Sequence, residues 1–168
     1  GTTLVSKNSL FVNAGWISSS SLISEEGNLV ATADNAITGS DLLAKAGSVT
    51  VSAANIASST VNAFSGITAT ASENLTGSTL KTESGDVTVA ATIIDGSQVI
   101  DMDGAITVAS PLVTNSSFIA TDNVTLDGTD VEGSLLSDST VTAGSDIILK
   151  NYEEVIALNA NAYGNIIA

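Results

Sequence analysis

The stretch Gly85-Asp86-Val87-Thr88-Val89 decides the fold, because it recurs along the whole chain. The same frame reads Gly47-Ser48-Val49-Thr50-Val51, Ser65-Gly66-Ile67-Thr68-Ala69, Gly104-Ala105-Ile106-Thr107-Val108 and Asp122-Asn123-Val124-Thr125-Leu126. Within each copy apolar and polar residues alternate, which is the period of a strand with one buried face. Extended in both directions, the first line of apolar anchors runs Leu10, Leu29, Val49, Ile67, Val87, Ile106, Val124, Ile147 and Ile166. Successive anchors are 19, 20, 18, 20, 19, 18, 23 and 19 residues apart. A second line follows at Ile17, Ile37, Ile56, Leu75, Ile94, Val113, Val131 and Val155, and a third at Leu22, Leu42, Val61, Leu80, Val99, Phe118, Leu136 and Ala160. The long spacing between Val124 and Ile147 needs a few extra residues, and the run 137–141 can supply them as a bulge or insertion.

A period near 19 residues is too short for helical repeats, which take about 33 or more. The segments are rich in Val, Ile and Thr, and the stretches between them in Gly, Ser, Asn and Asp, so strands alternate with corners. The expected fold is therefore all-β: a parallel β-helix, or three-faced β-solenoid, with about 19 residues per coil and about eight coils. Residues 1–168 form one such domain. The outward centre of the first face reads Val30, Thr50, Thr68, Thr88, Thr107, Thr125 and Ile148, a threonine column with apolar ends. A corner column reads Gly39-Ser40, Ser58-Ser59, Gly77-Ser78, Gly96-Ser97, Ser116-Ser117 and Gly133-Ser134. Small hydroxyl residues there keep a turn tight and satisfy backbone groups. Tyr152 to Ala162 has local helix preference and is a candidate C-terminal cap over 152–162, but Val155 and Ile166 keep the register and put strand and corner ahead of helix there.

Composition agrees. Ser and Thr number 44 of 168 residues, which suits outward columns and corners, and the scarcity of aromatics (4%) suits thin layers filled by aliphatic side chains. The net charge is −14, with four Lys and no Arg, so no phosphate-binding face can form and nucleic acid is not an expected partner. No apolar run is long enough to insert in a membrane as a helix. With neither Cys nor His, the usual zinc sites and His-based triads are excluded. The acidic groups Asp95, Asp101 and Asp103, then Asp122, Asp127 and Asp130, read as solvated corners ahead of a calcium site. No catalytic, cofactor-binding or metal residue is expected, and no enzyme activity.

The repeat resembles the haemagglutinin-type repeats of filamentous haemagglutinin and related two-partner secretion adhesins. Gly85-Asp86-Val87-Thr88-Val89-Ala90, Asn55-Ile56, Asn74-Leu75-Thr76-Gly77-Ser78-Thr79-Leu80 and Gly144-Ser145-Asp146-Ile147-Ile148-Leu149 carry the likeness. It covers about residues 8 to 150, the repeat region only. The Asn-Pro-Asn-Gly motif usual near the start of the family's secretion domain is missing, since the only proline is Pro111. The resemblance implies a secreted or surface-exposed bacterial protein, the rod or stalk of an adhesin, which meets a host or neighbouring cell.

The ends give a second expectation. Leu4 and Leu10 at one end and Ile166 and Ile167 at the other continue the register to the termini. Uncapped coils expose apolar side chains and strand edges that template further pairing. These four residues are the expected contacts for end-to-end stacking, either with another copy in an extracellular filament or sheath or with more of a longer parent chain. A more distant expectation is ice binding through the threonine column, but only Thr68-Ala69-Thr70 repeats the double threonine such a face would need.

Overall fold

Alternating Val, Thr and Ile residues fold here into short strands whose inner side chains stack on those one turn away. The computed structural model describes residues 1–168 and contains 21 strands and no helix. Every ladder is parallel, as in Val87–Ala90 against Ile106–Ala109 and Gln98–Asp101 against Ser117–Ala120. Three faces result. Nine strands stack on the first face, from Leu10 to Ile167, and nine on the third, from Thr3–Ser6 to Asn159–Ala162. Eight stack on the second, the last being Glu154–Ile156. The architecture is the expected β-solenoid.

In the early turns the first two faces are one bent strand. Val87–Asp95 turns the corner at a bulge between Ala91 and Ile93. In the next turn Ser110 and Pro111 separate Ile106–Ala109 from Leu112–Thr114. Proline has no N–H to give the ladder, so the strand breaks there.

The interior is a single cluster of 36 buried residues. Leu29, Val49, Ile67, Val87, Ile106, Val124 and Ile147 stack directly over one another and are at most 2% exposed. Layers about 4.8 Å apart leave each slot a fixed height, which suits flat stacks of aliphatic side chains. Phe118 is the largest fully buried side chain, and Val99 and Val141 are its register neighbours. The ring fits because both neighbours are small.

One corner carries a continuous serine ladder. The amide of Ser40 donates to Ser59 Oγ, Ser59 to Ser78 Oγ, Ser78 to Ser97 Oγ and Ser97 to Ser116 Oγ, all at 3.2–3.3 Å. Ser20 precedes this series and Ser139 follows it on the same pattern. Each hydroxyl donates to the carbonyl two residues back, as Ser78 Oγ does to Thr76 O at 3.0 Å. The residue before each serine sits in the left-handed region: Gly77 and Gly96 at φ 53° and 58°, but also Ser58, Asn115 and Asp138. Only glycine adopts that conformation without cost, so the non-glycine members depend on the ladder. Replacing Ser78 by Ala leaves the buried amide of Ser59 without an acceptor. A buried unsatisfied amide costs about 1–3 kcal/mol, so S78A should lower the denaturant midpoint accordingly. The outward Thr107→Ser should stay within about 0.5 kcal/mol. Equal midpoints for the two variants would show that the ladder does not support the corner.

The extra residues lie elsewhere than expected. The run 137–141 is regular: Leu135–Ser137 pairs with Leu112–Thr114, and Thr140–Ala143 with Ser117–Ala120. The insertion is the loop 128–133, where Thr129, Asp130 and Gly133 have positive φ. Leu136 is therefore a second-line anchor and Val141 a third-line anchor, both fully buried, while Val131 is 48% exposed. Both readings preserve the five-residue step from second to third line, so spacing alone could not separate them. The corner pairs shift with the register, from Ser116-Ser117 to Asn115-Ser116 and from Gly133-Ser134 to Asp138-Ser139. The stretch 152–162 follows the strand register, as the anchors favoured, and forms no helical cap. Glu154–Ile156 and Asn159–Ala162 are strands that extend two faces.

Candidate functional site

The four end residues lie where the register places them. Leu4 pairs with Leu22 and Leu10 with Leu29 at one end, while Ile166 pairs with Ile147 and Ile167 with Ile148 at the other. Leu4, Ile166 and Ile167 are 38%, 52% and 51% exposed, although Leu4 and Ile166 belong to inward columns. In the first and last rungs these apolar columns are thus part-exposed beside strand edges. The two pairs are at opposite ends, so one molecule does not bring them together. Phe11 and Trp16 add exposed aromatic surface at the first rung, at 74% and 66%.

The acidic residues spread over different faces, and no three of them gather as metal ligands. Asp95, at the end of a second-face strand, accepts from Thr114 Oγ1 at 2.7 Å and Asn115 Nδ2 at 2.9 Å. Those two donors hold its carboxyl below the usual range. Asp127 supports the insertion: it accepts from Asn151 Nδ2 at 2.9 Å and the Thr129 amide at 2.8 Å, and pairs with Lys150 at 3.0 Å. Its carboxyl is held low too, chiefly by the Asn151 amide. Beside it, the Tyr152 hydroxyl donates to Ser110 O at 3.0 Å, and burial pushes its pKa well above the ordinary value.

Asp101 is the exception. It ends a third-face strand with its side chain inward and is 2% exposed. One oxygen accepts from the Asp103 amide at 3.1 Å, and the other, Oδ2, is buried with no partner. Burial raises its pKa from 3.8 to about 6 against the pull of the Asp103 amide, and the charges of Asp86, Asp103 and Asp122 add to the rise. The same column holds Ser24, whose hydroxyl reaches Asn8 O at 2.7 Å and Gly27 O at 2.8 Å. The column also holds Thr82, whose hydroxyl accepts from the Gly66 amide at 3.1 Å and donates to Ser84 O at 2.8 Å. Elsewhere it holds Ala44, Ala63, Ala120 and Ala143. No pattern at the level of the repeat marks Asp101; only its place in a column of small or hydroxyl residues does.

The faces differ in texture. The threonine column Thr50, Thr68, Thr88, Thr107 and Thr125 is in register across five rungs of the first face. The third face has a shallow cleft of about 270 Å³ between Leu43, Phe64 and the lysines Lys45 and Lys81. A wider groove of about 490 Å³ runs under the insertion, lined by Ala90, Ala109, Pro111 and Val131. A further column was not foreseen from sequence: Asn28, Asp86, Asn123 and Asp146 cap the next turn's backbone amides from the corner before the first face. Its signal is the Asn or Asp directly before Leu29, Val87, Val124 and Ile147. Comparison with protein-family models, with curated proteins and with solved structures finds no match for the chain.

Proposed function

We propose that the protein is a non-enzymatic extracellular rod, the stalk segment of a bacterial surface adhesin. The observation that carries this reading is the continuous stacking: two faces stack through nine rungs and the third through eight, and the serine ladder locks one corner across seven turns. A stack of this kind sets a fixed length, roughly 4.8 Å per turn, and holds whatever it carries at that distance. The repeat's resemblance to haemagglutinin-type adhesins supports the surface location. Antibodies against the chain should label intact source cells without permeabilisation. Label that appears only after permeabilisation would overturn the reading.

The exposed ends favour a second reading, in which copies stack end to end into a filament or sheath. Leu4 would meet the layer of Ala160, and Leu10 that of Ile166, as head-to-tail contacts that propagate without closing. Because the last first-face rung lies one turn beyond the last second-face rung, such a stack leaves the second face one strand short at each junction. Electron microscopy of the purified protein should show fibres of constant width on this reading.

A further inference from the structure

The third face and the positions one residue past its strands nearly balance in charge. Asp41 and Lys81 point outward from the strands, Lys7, Glu25, Lys45 and Glu83 follow the strand ends, and Glu26 pairs with Lys7 at 3.9 Å from the adjoining corner, on a chain of net charge −14. Nearly all of the net charge therefore belongs to the other two faces and the remaining corners. The third face is also the apolar one. Its central outward column places Val5, Ile23 and Leu43 on one side of Asn62, and Ile100 and Ile119 beyond Lys81. Beside it, one residue past each strand, Glu25, Lys45, Phe64, Glu83 and Met102 follow one another along the rod. Phe64 is 45% exposed in the middle of this series.

The order is self-complementary about the rung of Phe64. A two-fold axis along that rung, between two copies laid antiparallel, sets Phe64 on Phe64 and Ile23 on Ile100. It sets Val5 on Ile119, and the stem of Lys81 over Leu43. It brings Lys45 of each copy, which also pairs with Glu25 of its own chain at 2.7 Å, beside Glu83 of the other. We propose that the third face is a homodimer interface, in which two rods lie side by side and antiparallel with Phe64 at the two-fold. Each residue then meets its counterpart's partner in both directions, as an isologous contact requires. Two copies of net charge −14 repel through their other surfaces, so this face is where like can approach like. Seven rungs about 4.8 Å apart and about 15 Å wide give roughly 500 Å² per copy before side-chain relief. That is at the lower end of specific interfaces, so the dimer is weak and fills at concentrations on the order of 100 μM.

Sedimentation equilibrium over a concentration series tests this. The unmodified chain should pass from monomer to dimer. Lys45→Glu and Phe64→Asp should each weaken the dimer by about tenfold or more, with melting curves that shift only slightly, because both residues are at the surface and an exposed pair such as Lys45–Glu25 contributes little. The double variant K45E/E83K should restore the affinity to within about threefold, since the swapped charges still meet across the axis. A chain that stays monomeric throughout, or a double variant as weak as K45E alone, overturns the proposal. So does association that survives F64D and is lost in Ile166→Asp, which would place the contact at the rod ends. None of these outcomes depends on where the rod is displayed, so they leave the surface-labelling test independent.

Discussion

Replacing Phe118 by Ala should cost about 3–5 kcal/mol, the usual range for a large buried ring. The ring is fully buried between Val99 and Val141, and its strand pairs with both neighbouring rungs over four residues. Those ladders fix the rung spacing, so the layers cannot close over the space left behind. The cost should be local as well as large, because each turn of a solenoid contacts only its neighbours. Hydrogen exchange should quicken at Gln98–Asp101, Ser117–Ala120 and Thr140–Ala143 and change little at Ser21–Ser24. Denaturant unfolding followed with site-resolved exchange measures both parts. A uniform loss of protection along the whole rod would mean that it unfolds as one unit and that the nearest-neighbour picture is wrong. A loss well under about 2 kcal/mol would mean that the layers collapse after all.

The second large effect is a dependence on pH set by one carboxyl. Asp101 titrates at about 6 in the folded protein, against 3.8 as its ordinary value. The folded state therefore holds the proton more tightly than the unfolded state. Its contribution to stability is fully present below about pH 3.8 and is lost as pH rises through about 6. At about 1.4 kcal/mol per unit the upper limit is near 3 kcal/mol, and relaxation of the corner around the charge brings the expected value to about 2 kcal/mol. Equivalent positions in the turn of Ser24 point to acceptors for the proton. Asn8 lies sixteen residues before Ser24 and Gly27 three after it, and Gly85 and Gly104 hold those same places around Asp101. A protonated Oδ2 can donate to these carbonyls as the serine does; an ionised one faces them and the charges of Asp86, Asp103 and Asp122 with no donor.

Asp95 and Asp127 act in the opposite sense. Their carboxyls are held low by hydrogen bonds, so their contribution is present above the ordinary carboxylate pKa and is lost as pH falls through their lowered values. Stability should pass through a maximum in mildly acid solution. Asp101→Asn keeps the shape, cannot ionise and supplies N–H donors. It should flatten the alkaline side of that maximum and make the protein about 2 kcal/mol more stable than the unmodified chain at pH 7.5. Urea midpoints at pH 4.5 and 7.5 for both proteins decide the matter. An unchanged slope in D101N would assign the dependence to the general negative charge of the rod instead.

Much of this was open to reading in the linear chain. The alternation Val87-Thr88-Val89 and its return every 18 to 20 residues are local and repeat with every turn, so an error in one turn is corrected by the next. The threonine column is legible residue by residue, and the serine corner through Ser97. The serine reading failed beyond Ser97 because Ser116-Ser117 and Gly133-Ser134 imitate the motif one and five residues out of place. The insertion was misplaced because Val131, Leu136 and Val141 are evenly spaced, and any two of them can serve as consecutive anchors. Only the pairing of Leu136 with Val113, and of Val141 with Phe118, settles which are inside.

The sequence by itself determined the class of fold, the three-faced coil, its period and the composition of its inner columns. These follow from side-chain alternation along a strand and the propensities of a few residue types, which act over neighbouring residues and add up over nine rungs. The tertiary structure decided where the extra loop leaves the coil, that Asp101 is an interior acid with an unpartnered oxygen, and that the third face is apolar and nearly neutral on an acidic rod. Each of these depends on which residues a full turn away lie beside one another. A change of one residue in the length of a corner alters those neighbours without altering the local pattern.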